Sequence, residues 1–349
     1  MKRIKTEDAV GQVLCHDITQ IIRGVSKGPV FRKGHVVQKE DIPVLLSVGK
    51  DTLFVWENDE QMMHEDEGAA VLRDLTMGAG MHATEPKEGK IELTSTVAGV
   101  FEVREDALNA VNDITDVMIA TIAQHFPVKA TRHGGFTVHT GDKLAGMRVI
   151  PLVIEKAKME AAKKAVAGNP LMNIRPFKVK RVGLVTTGNE VFYGRIEDTF
   201  SPVIYDKVKE FGARVEMHTV LPDNPDGITA AIKDMLTAGM EAVFCTGGMS
   251  VDPDDRTPLA IKNTGNRIVS YGAPVLPGAM FLLSYTIDAR PVVGLPGCVM
   301  YAKRTIFDLA LPYLMSGTEL DAVTLARMGE GGLCLDCPVC TFPNCGFGK

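Results

Sequence analysis

The chain has 349 residues, 45% hydrophobic and 23% charged, the composition of an ordinary globular chain long enough for two or three domains. A formal net charge of −5 and a pI near 5.9 give no basic field for nucleic acid or an acidic membrane surface. Residues 1–8 lack the apolar stretch of a signal peptide and no 18-residue apolar run follows, so a cytoplasmic protein without membrane or nucleic-acid partners is expected. Cys15, Cys245 and Cys298 stand alone, as reduced thiols do in that compartment.

Residues 1–58 read as a compact opening segment. Residues 31–37 form a strand interrupted by a turn at Lys33-Gly34. Asp41-Ile42-Pro43 opens a helix with Asp41 as N-cap and Val44, Leu45 and Val48 apolar; Gly49 ends it, and residues 53–56 return as a strand. Residues 59–70 are acidic and lead into a helix, so a solvated face with His64 at the surface is expected. Residues 90–103 alternate as two strands meeting at Ala98-Gly99. The spacing of Leu108, Val111, Ile114, Val117/Met118 and Ile122 predicts one helix over 107–125. Gly134-Gly135 and Gly141-Asp142 bracket a strand at 136–139, residues 148–154 form another, and 155–167 are a Lys- and Ala-rich helix. Segment 59–175 is thus a mixed α+β domain closed by a linker over 168–176. His133 and His139 have no third ligand near them in sequence, which argues against a metal pair.

In residues 176–318 strands and helices alternate. Residues 181–186 are a buried strand running into Thr187-Gly188-Asn189-Glu190. Ser201-Pro202 starts a helix whose apolar face is Val203/Ile204, Val208 and Phe211, stopped by Gly212. Residues 213–221 form a strand that meets Pro222-Asp223-Asn224-Pro225, and Ile228, Ile232, Met235 and Leu236 make the next helical stripe. The apolar run 242–245 enters Thr246-Gly247-Gly248-Met249-Ser250, followed by Asp252, Asp254 and Asp255. Two glycines there let the backbone approach something closely. Thr257-Pro258 opens a helix with Thr257 as N-cap. Residues 291–294 are a strand ending in Leu295-Pro296-Gly297, and a helix from about Val299 carries Ala302, Ile306 and Leu309 inward. This order predicts an α/β fold, a mainly parallel sheet with helices on both faces. Each strand then delivers its glycines and carboxylates to one edge, where ligands bind. The competing reading of 252–255 is a solvated Asp-rich turn, and the convergence of four loops weighs against it.

Residues 181–318 resemble the molybdopterin-binding domain shared by molybdopterin adenylyltransferases and molybdopterin molybdotransferases. The matching pieces are Thr187-Gly188-Asn189-Glu190, the Asp198…Ser201-Pro202 helix start, Pro222-Asp223, Thr246-Gly247-Gly248-x-Ser250 with Asp255 at its end, Pro277-Gly278 and Leu295-Pro296-Gly297. Residues 1–58 are similar to the segment that precedes this domain in molybdotransferases. The Ser-x-x-Asp-Gly-Tyr-Ala signature of the full-length enzymes is absent, and a Cys-rich tail stands where they carry a small β domain. The resemblance implies molybdopterin or adenylyl-molybdopterin as ligand. Its binding positions are Thr187, Gly188, Asn189, Glu190, Asp198, Ser201, Thr246, Gly247, Gly248, Ser250, Pro296 and Gly297. It also implies that Asp223 and Asp255 are catalytic and hold Mg²⁺ against the pyrophosphate and the substrate molybdate, with Asp252 and Asp254 as alternatives. The implied reaction is Mg-dependent insertion of molybdate into adenylated molybdopterin with release of AMP. The alternatives are a non-catalytic cofactor carrier and a pyridine-nucleotide or competence-type protein sharing the domain. Family domains commonly pair, which implies a homodimer.

Residues 319–349 end in Cys334-x-x-Cys337-x-x-Cys340-x-x-x-x-Cys345. Loops of two, two and four residues can wrap four thiolates around one centre, either zinc or an iron–sulfur cluster. Residues 320–332 carry few structural signals, so the tail is expected to be separable, leaving 1–317 folded.

Overall fold

The computed structural model describes residues 2–22, 26–55, 60–121, 134–250, 252 and 255–348. The chain divides into two compact units: residues 1–96, 103–131 and 141–173 form the first, and 97–102, 132–140 and 174–349 the second. The chain therefore passes back and forth between units instead of running through four consecutive segments.

In the first unit, Met81–Ala83, Lys90–Ser95, Lys143–Val149 and Val117–Thr121 make an antiparallel sheet in that order. Helix Glu65–Thr76 packs on it through Gly68, where a Cβ would come within 2.9 Å of Val149. The helix expected over 107–125 stops at Asn112, and Val117–Thr121 is a strand with Val117 and Ile119 buried. Its cause is local: Asn112 Nδ2 donates to the Ile119 carbonyl (2.9 Å) and its Oδ1 accepts from the Ile119 N–H (2.8 Å), folding the chain back. His64 is not on a solvated face; it is 3% exposed. Its Nδ1 accepts from the Asp66 N–H (3.1 Å) and caps the helix, and its Nε2 lies 2.9 Å from the Cys15 carbonyl. Glu40, not Asp41, precedes the short helix Asp41–Ser47; the Asp41 carboxylate instead accepts from the Gln38 N–H and lies 2.6 Å from His35 Nε2. The expected linker over 168–176 contains a strand, Met172–Pro176. Trp56, His125 and His133 lie outside the described residues.

The second unit is built on six strands: β1 (Arg181–Thr187), β2 (Arg214–Leu221), β3 (Ala242–Thr246), β4 (Arg267–Tyr271), β5 (Leu282–Tyr285) and β6 (Pro291–Leu295). Their order is β2-β1-β3-β6-β5-β4. The first four run parallel, and β5 and β4 add an antiparallel edge that the strand–helix pattern did not predict. Helices α1 (Ser201–Lys209), α2 (Pro225–Thr237), α3 (Thr257–Asn263) and α4 (Ile306–Ser316) cover both faces. Alternation along the strands explains the two layers. Leu184, Phe244 and Val293 join Ile204 and Val208 of α1 and Phe307 and Leu311 of α4 in one cluster. Val185, Val243, Cys245 and Val292 join Ile228 and Ile232 of α2 and Ile261 of α3 in the other.

Two helix starts differ from expectation. After β6 comes a single 3₁₀ turn, Gly297–Met300, and α4 begins only at Ile306, where Thr305 and Asp308 form a reciprocal capping box. Ahead of α3 the cap position is Arg256, and Thr257 is the first helical residue. The tail is not separable. Leu320, Leu325 and Phe347 are 2%, 2% and 4% exposed in the core shared with α1 and α4. The Leu320 N–H donates to Tyr285 Oη at 2.9 Å, and Leu333 pairs with Leu276. Removing them would uncover the α4 layer. Among the described residues no helix is long and apolar enough to cross a membrane.

Candidate functional site

The carboxyl ends of β1, β2, β3 and β6 share one edge, because these strands are parallel. The loops after β1 and β2 are clamped together: the Asn189 N–H donates to Asp223 Oδ2 (3.0 Å), and the Asp223 N–H donates to Asn189 Oδ1 (3.4 Å). Gly188 has φ 142°, and a Cβ there would meet Glu190 Oε1 at 2.7 Å, so the Glu190 carboxylate lies back over its own turn.

Gly247 and Gly248 take left-handed φ of 84° and 54°. Their need for glycine comes from the protein itself. A Cβ on Gly247 would lie 2.0 Å from the Thr187 carbonyl oxygen, and one on Gly248 would lie 2.9 Å from Thr257 Oγ1 and 3.2 Å from Thr187 Oγ1. The two hydroxyls are 3.1 Å apart, so the loop after β3 is threaded between β1 and the start of α3. Beyond the glycines, Met249 is buried, Ser250 is exposed, Pro296 is buried and Gly297 is exposed with open space at its Cβ position.

Asp198 and Ser201 are brought together in a polar network. The Asp198 carboxylate accepts from the Phe200 N–H (2.9 Å), the Ser201 N–H (3.0 Å) and the Ser201 hydroxyl. Ser201 Oγ lies 2.9 Å from Thr186 Oγ1 and 3.2 Å from His218 Nε2, and Thr246 Oγ1 donates to Thr186 Oγ1 at 3.3 Å. His218 Nδ1 is 2.9 Å from Tyr205 Oη. Burial opposes ionisation of Asp198, but its hydrogen bonds and nearby His218 outweigh burial and hold the carboxyl below its ordinary range. Burial lowers the His218 pKa against the opposing pull of Asp198. Thr186, Tyr205 and His218 escaped the sequence reading. The only signal for the network was the Asp-x-x-Ser spacing at 198–201.

Asp255 closes the acid loop, its N–H donating to the Asp252 carbonyl at 3.0 Å. Its Oδ2 is buried with no hydrogen-bond partner among the described residues. Tyr271, at the end of β4, donates to the Met249 carbonyl (3.2 Å); burial and then the Asp255 charge raise its pKa. Asp252 is exposed, and Asp254 lies outside the described residues. Tyr271 too was missed, since the strand carrying it was.

Elsewhere, among the described residues, ligand atoms of His64, Glu65 and Asp66 approach within 4.8 Å of one another. Both His64 nitrogens are already engaged in the cap and with Cys15, so this group is a helix start. Cys334, Cys337, Cys340 and Cys345 are free thiols lining one cavity.

Residues 183–316 match a family described as "Probable molybdopterin binding domain", and residues 3–57 match a domain of unknown function. A molybdopterin molybdenumtransferase of Synechococcus elongatus is 24% identical over 225 residues, covering 60% of this chain and 53% of that protein. A CinA-like protein of Citrifermentans bemidjiense is 38% identical over 80 residues, 23% of this chain and 19% of that protein. The chain thus spans about half of the former and about a fifth of the latter. The crystal structure of the molybdopterin biosynthesis enzyme MoaB from Thermus thermophilus aligns with 39% of this chain and 91% of its own, at 19% identity and a TM-score of 0.32.

Proposed function

We propose that this chain, whose residues 183–316 are a domain of the molybdopterin-binding family of molybdenum cofactor biosynthesis, binds adenylated molybdopterin at the carboxyl edge of β1, β2, β3 and β6 and inserts molybdate into it, releasing AMP. One observation carries the reading: Asp255 Oδ2 is buried without a donor among the described residues. A buried carboxylate oxygen without a partner is costly unless something from outside the chain faces it. A hard oxygen of this kind suits Mg²⁺, which takes one or two carboxylates and keeps several waters, so the donor set fits. Asp255 and Asp223 would hold the ion. Bound there, Mg²⁺ would neutralise charge on the pyrophosphate as the P–O–P bond breaks.

The chain's own residues supply position and selectivity. The Asn189–Asp223 clamp fixes the loops after β1 and β2 to each other, so the Asp223 carboxylate is held in one place. Glycines at 247 and 248 let the loop after β3 pass close to Thr187, which sets the start of the acid segment. Glu190, Ser250 and Gly297 are exposed and open to a ligand. The test is direct: incubate the full chain with adenylyl-molybdopterin, molybdate and Mg²⁺ and follow AMP. AMP release that requires Mg²⁺ and molybdate is expected. Pterin binding without any AMP above the protein-free control would leave the second reading, a non-catalytic carrier.

A further inference from the structure

The tail is fastened at two points, with its cysteines between them. On one side Leu333 bridges to Leu276, with the Cys334 N–H donating to the Leu276 carbonyl and the Leu276 N–H to the Gly332 carbonyl, both at 2.8 Å. On the other, Phe347 is 4% exposed within the core and the Gly348 N–H donates to the Gly331 carbonyl (2.9 Å). Between these anchors lies a cavity of about 280 Å³ lined by all four cysteines together with Lys303 and Arg304. Both cations reach the cysteine segments. Lys303 Nζ donates to the Cys337 carbonyl (2.8 Å) and pairs with Asp336 (3.2 Å). Arg304 lies beside the Cys340 side chain, stacks over the Phe342 ring at 4.8 Å and is held by Asp308 (2.9 Å). Phe342 and Phe347 close the apolar side, with ring centroids 6.1 Å apart.

We propose that Cys334, Cys337, Cys340 and Cys345 hold one 4Fe–4S cluster in this cavity, with Arg304 as its neighbouring cation. Two observations select a cluster over a single zinc ion. Four thiolates at about 2.3 Å from one zinc lie within about 4 Å of each other. Among the described residues, no three of the tail sulfurs come within 4.8 Å. A 4Fe–4S cluster spreads its four ligands around a larger body, and the cavity that the four cysteines line provides room for one. Four thiolates carry a net −2 around a 4Fe–4S core of charge +2 and around Zn²⁺ alike, so the Arg304 and Lys303 charges suit a metal centre here without choosing between the two. In binding, each of the four thiols gives its proton to solvent and its sulfur lone pair to one iron, and no electron is transferred.

The proposal is independent of the pterin reading, and its test uses no pterin. The full chain is purified anaerobically, or reconstituted with equal ferrous and ferric iron and sulfide, and assayed for metal and acid-labile sulfide. About four irons and four sulfides per chain are expected, with visible absorption that bleaches on reduction by dithionite. One zinc per chain with no iron in reduced protein would overturn the cluster, and so would neither metal. Cys337→Ser/Cys340→Ser changes two exposed residues outside the core, so it should fold while iron falls about tenfold; undiminished iron in the folded variant would overturn the ligand set. Arg304→Gln keeps four thiols, and its cluster should become harder to reduce, a more negative midpoint potential. An unchanged potential would remove Arg304 from the proposal.

Discussion

Thr187 Oγ1 and Thr257 Oγ1 stand 3.1 Å apart, joining the last residue of β1 to the first residue of α3 across the backbone of Gly248. The glycine loop is therefore gripped from both sides, and its tolerance is small. Gly248→Ala would add a Cβ 2.9 Å from Thr257 Oγ1 at a left-handed φ of 54°, and Gly247→Ala one 2.0 Å from the Thr187 carbonyl. Both should destabilise the second unit, by roughly 2 kcal/mol or more for Gly247→Ala and less for Gly248→Ala, whose neighbours are side chains. Denaturant titrations give the order, and a wild-type midpoint for Gly247→Ala would refute the packing argument.

Asp255→Asn should behave in the opposite way. Its Oδ2 is buried with no donor among the described residues, so the substitution removes no known hydrogen bond. Without Mg²⁺ the variant should melt at or above the wild-type temperature, bind pterin with similar affinity, and release AMP at least about a hundredfold more slowly. Turnover equal to wild type would exclude Asp255 as the ion's holder. Asp223→Asn should also lose turnover, with some loss of stability because Asp223 clamps Asn189.

Acid should loosen the second unit through Asp198 and His218. Both have folded-state pKa values below their ordinary ones. For His218 the contribution is complete above about pH 6.5 and declines as pH falls below it. For Asp198 it is complete above about pH 4 and is lost as pH falls through its depressed value. Urea midpoints should therefore drop between about pH 7 and pH 5, and His218→Gln should flatten that limb while leaving the more acid one. A His218→Gln midpoint that falls as steeply as wild type over that interval would rule out His218 as the source.

The first unit should respond with the reverse sign. Burial, and then the adjacent Asp66 charge, push the Glu65 carboxyl up to about 7. Its neutral form is the one the fold accommodates, so its contribution is present below the ordinary carboxylate range and lost as pH rises through about 7. Glu65→Gln should match wild type near pH 4 and exceed it near pH 8 by about 1–3 kcal/mol. Equal stability at the higher pH would show that Glu65 ionises freely.

The strands β1, β3 and β6 were legible because continuous apolar runs such as Val182–Val185 and Ala242–Cys245 have one physical meaning when glycines and helix starts follow them. That placed Asn189, Gly247, Gly248 and Asp255 just after parallel strands. Residues 107–122 were misread because Val111, Ile114 and Met118 satisfy helical spacing as well as Val117 and Ile119 satisfy alternation, and only the side chain of Asn112 decides between them. His218 was invisible for another reason. It sits on β2 between Met217 and Thr219 with no local signal, and its partners come from residues up to 32 positions away. The tail's docking was equally hidden, since Leu320, Leu325 and Phe347 are isolated apolar residues whose partners lie on other elements.

The span 183–316 that matches its relatives is not a transplantable part. The cluster under α1 and α4 also contains Val100, Phe177, Val179, Leu320, Leu325 and Phe347, all outside that span. Phe177 meets Phe211 edge-on at 4.8 Å, and Phe347 belongs to the layer that α4 completes. A fusion carrying 183–316 alone would expose that layer to water and associate through it. Exchange of this domain between proteins therefore has to bring the flanking strand and tail along, or replace each with a new cover.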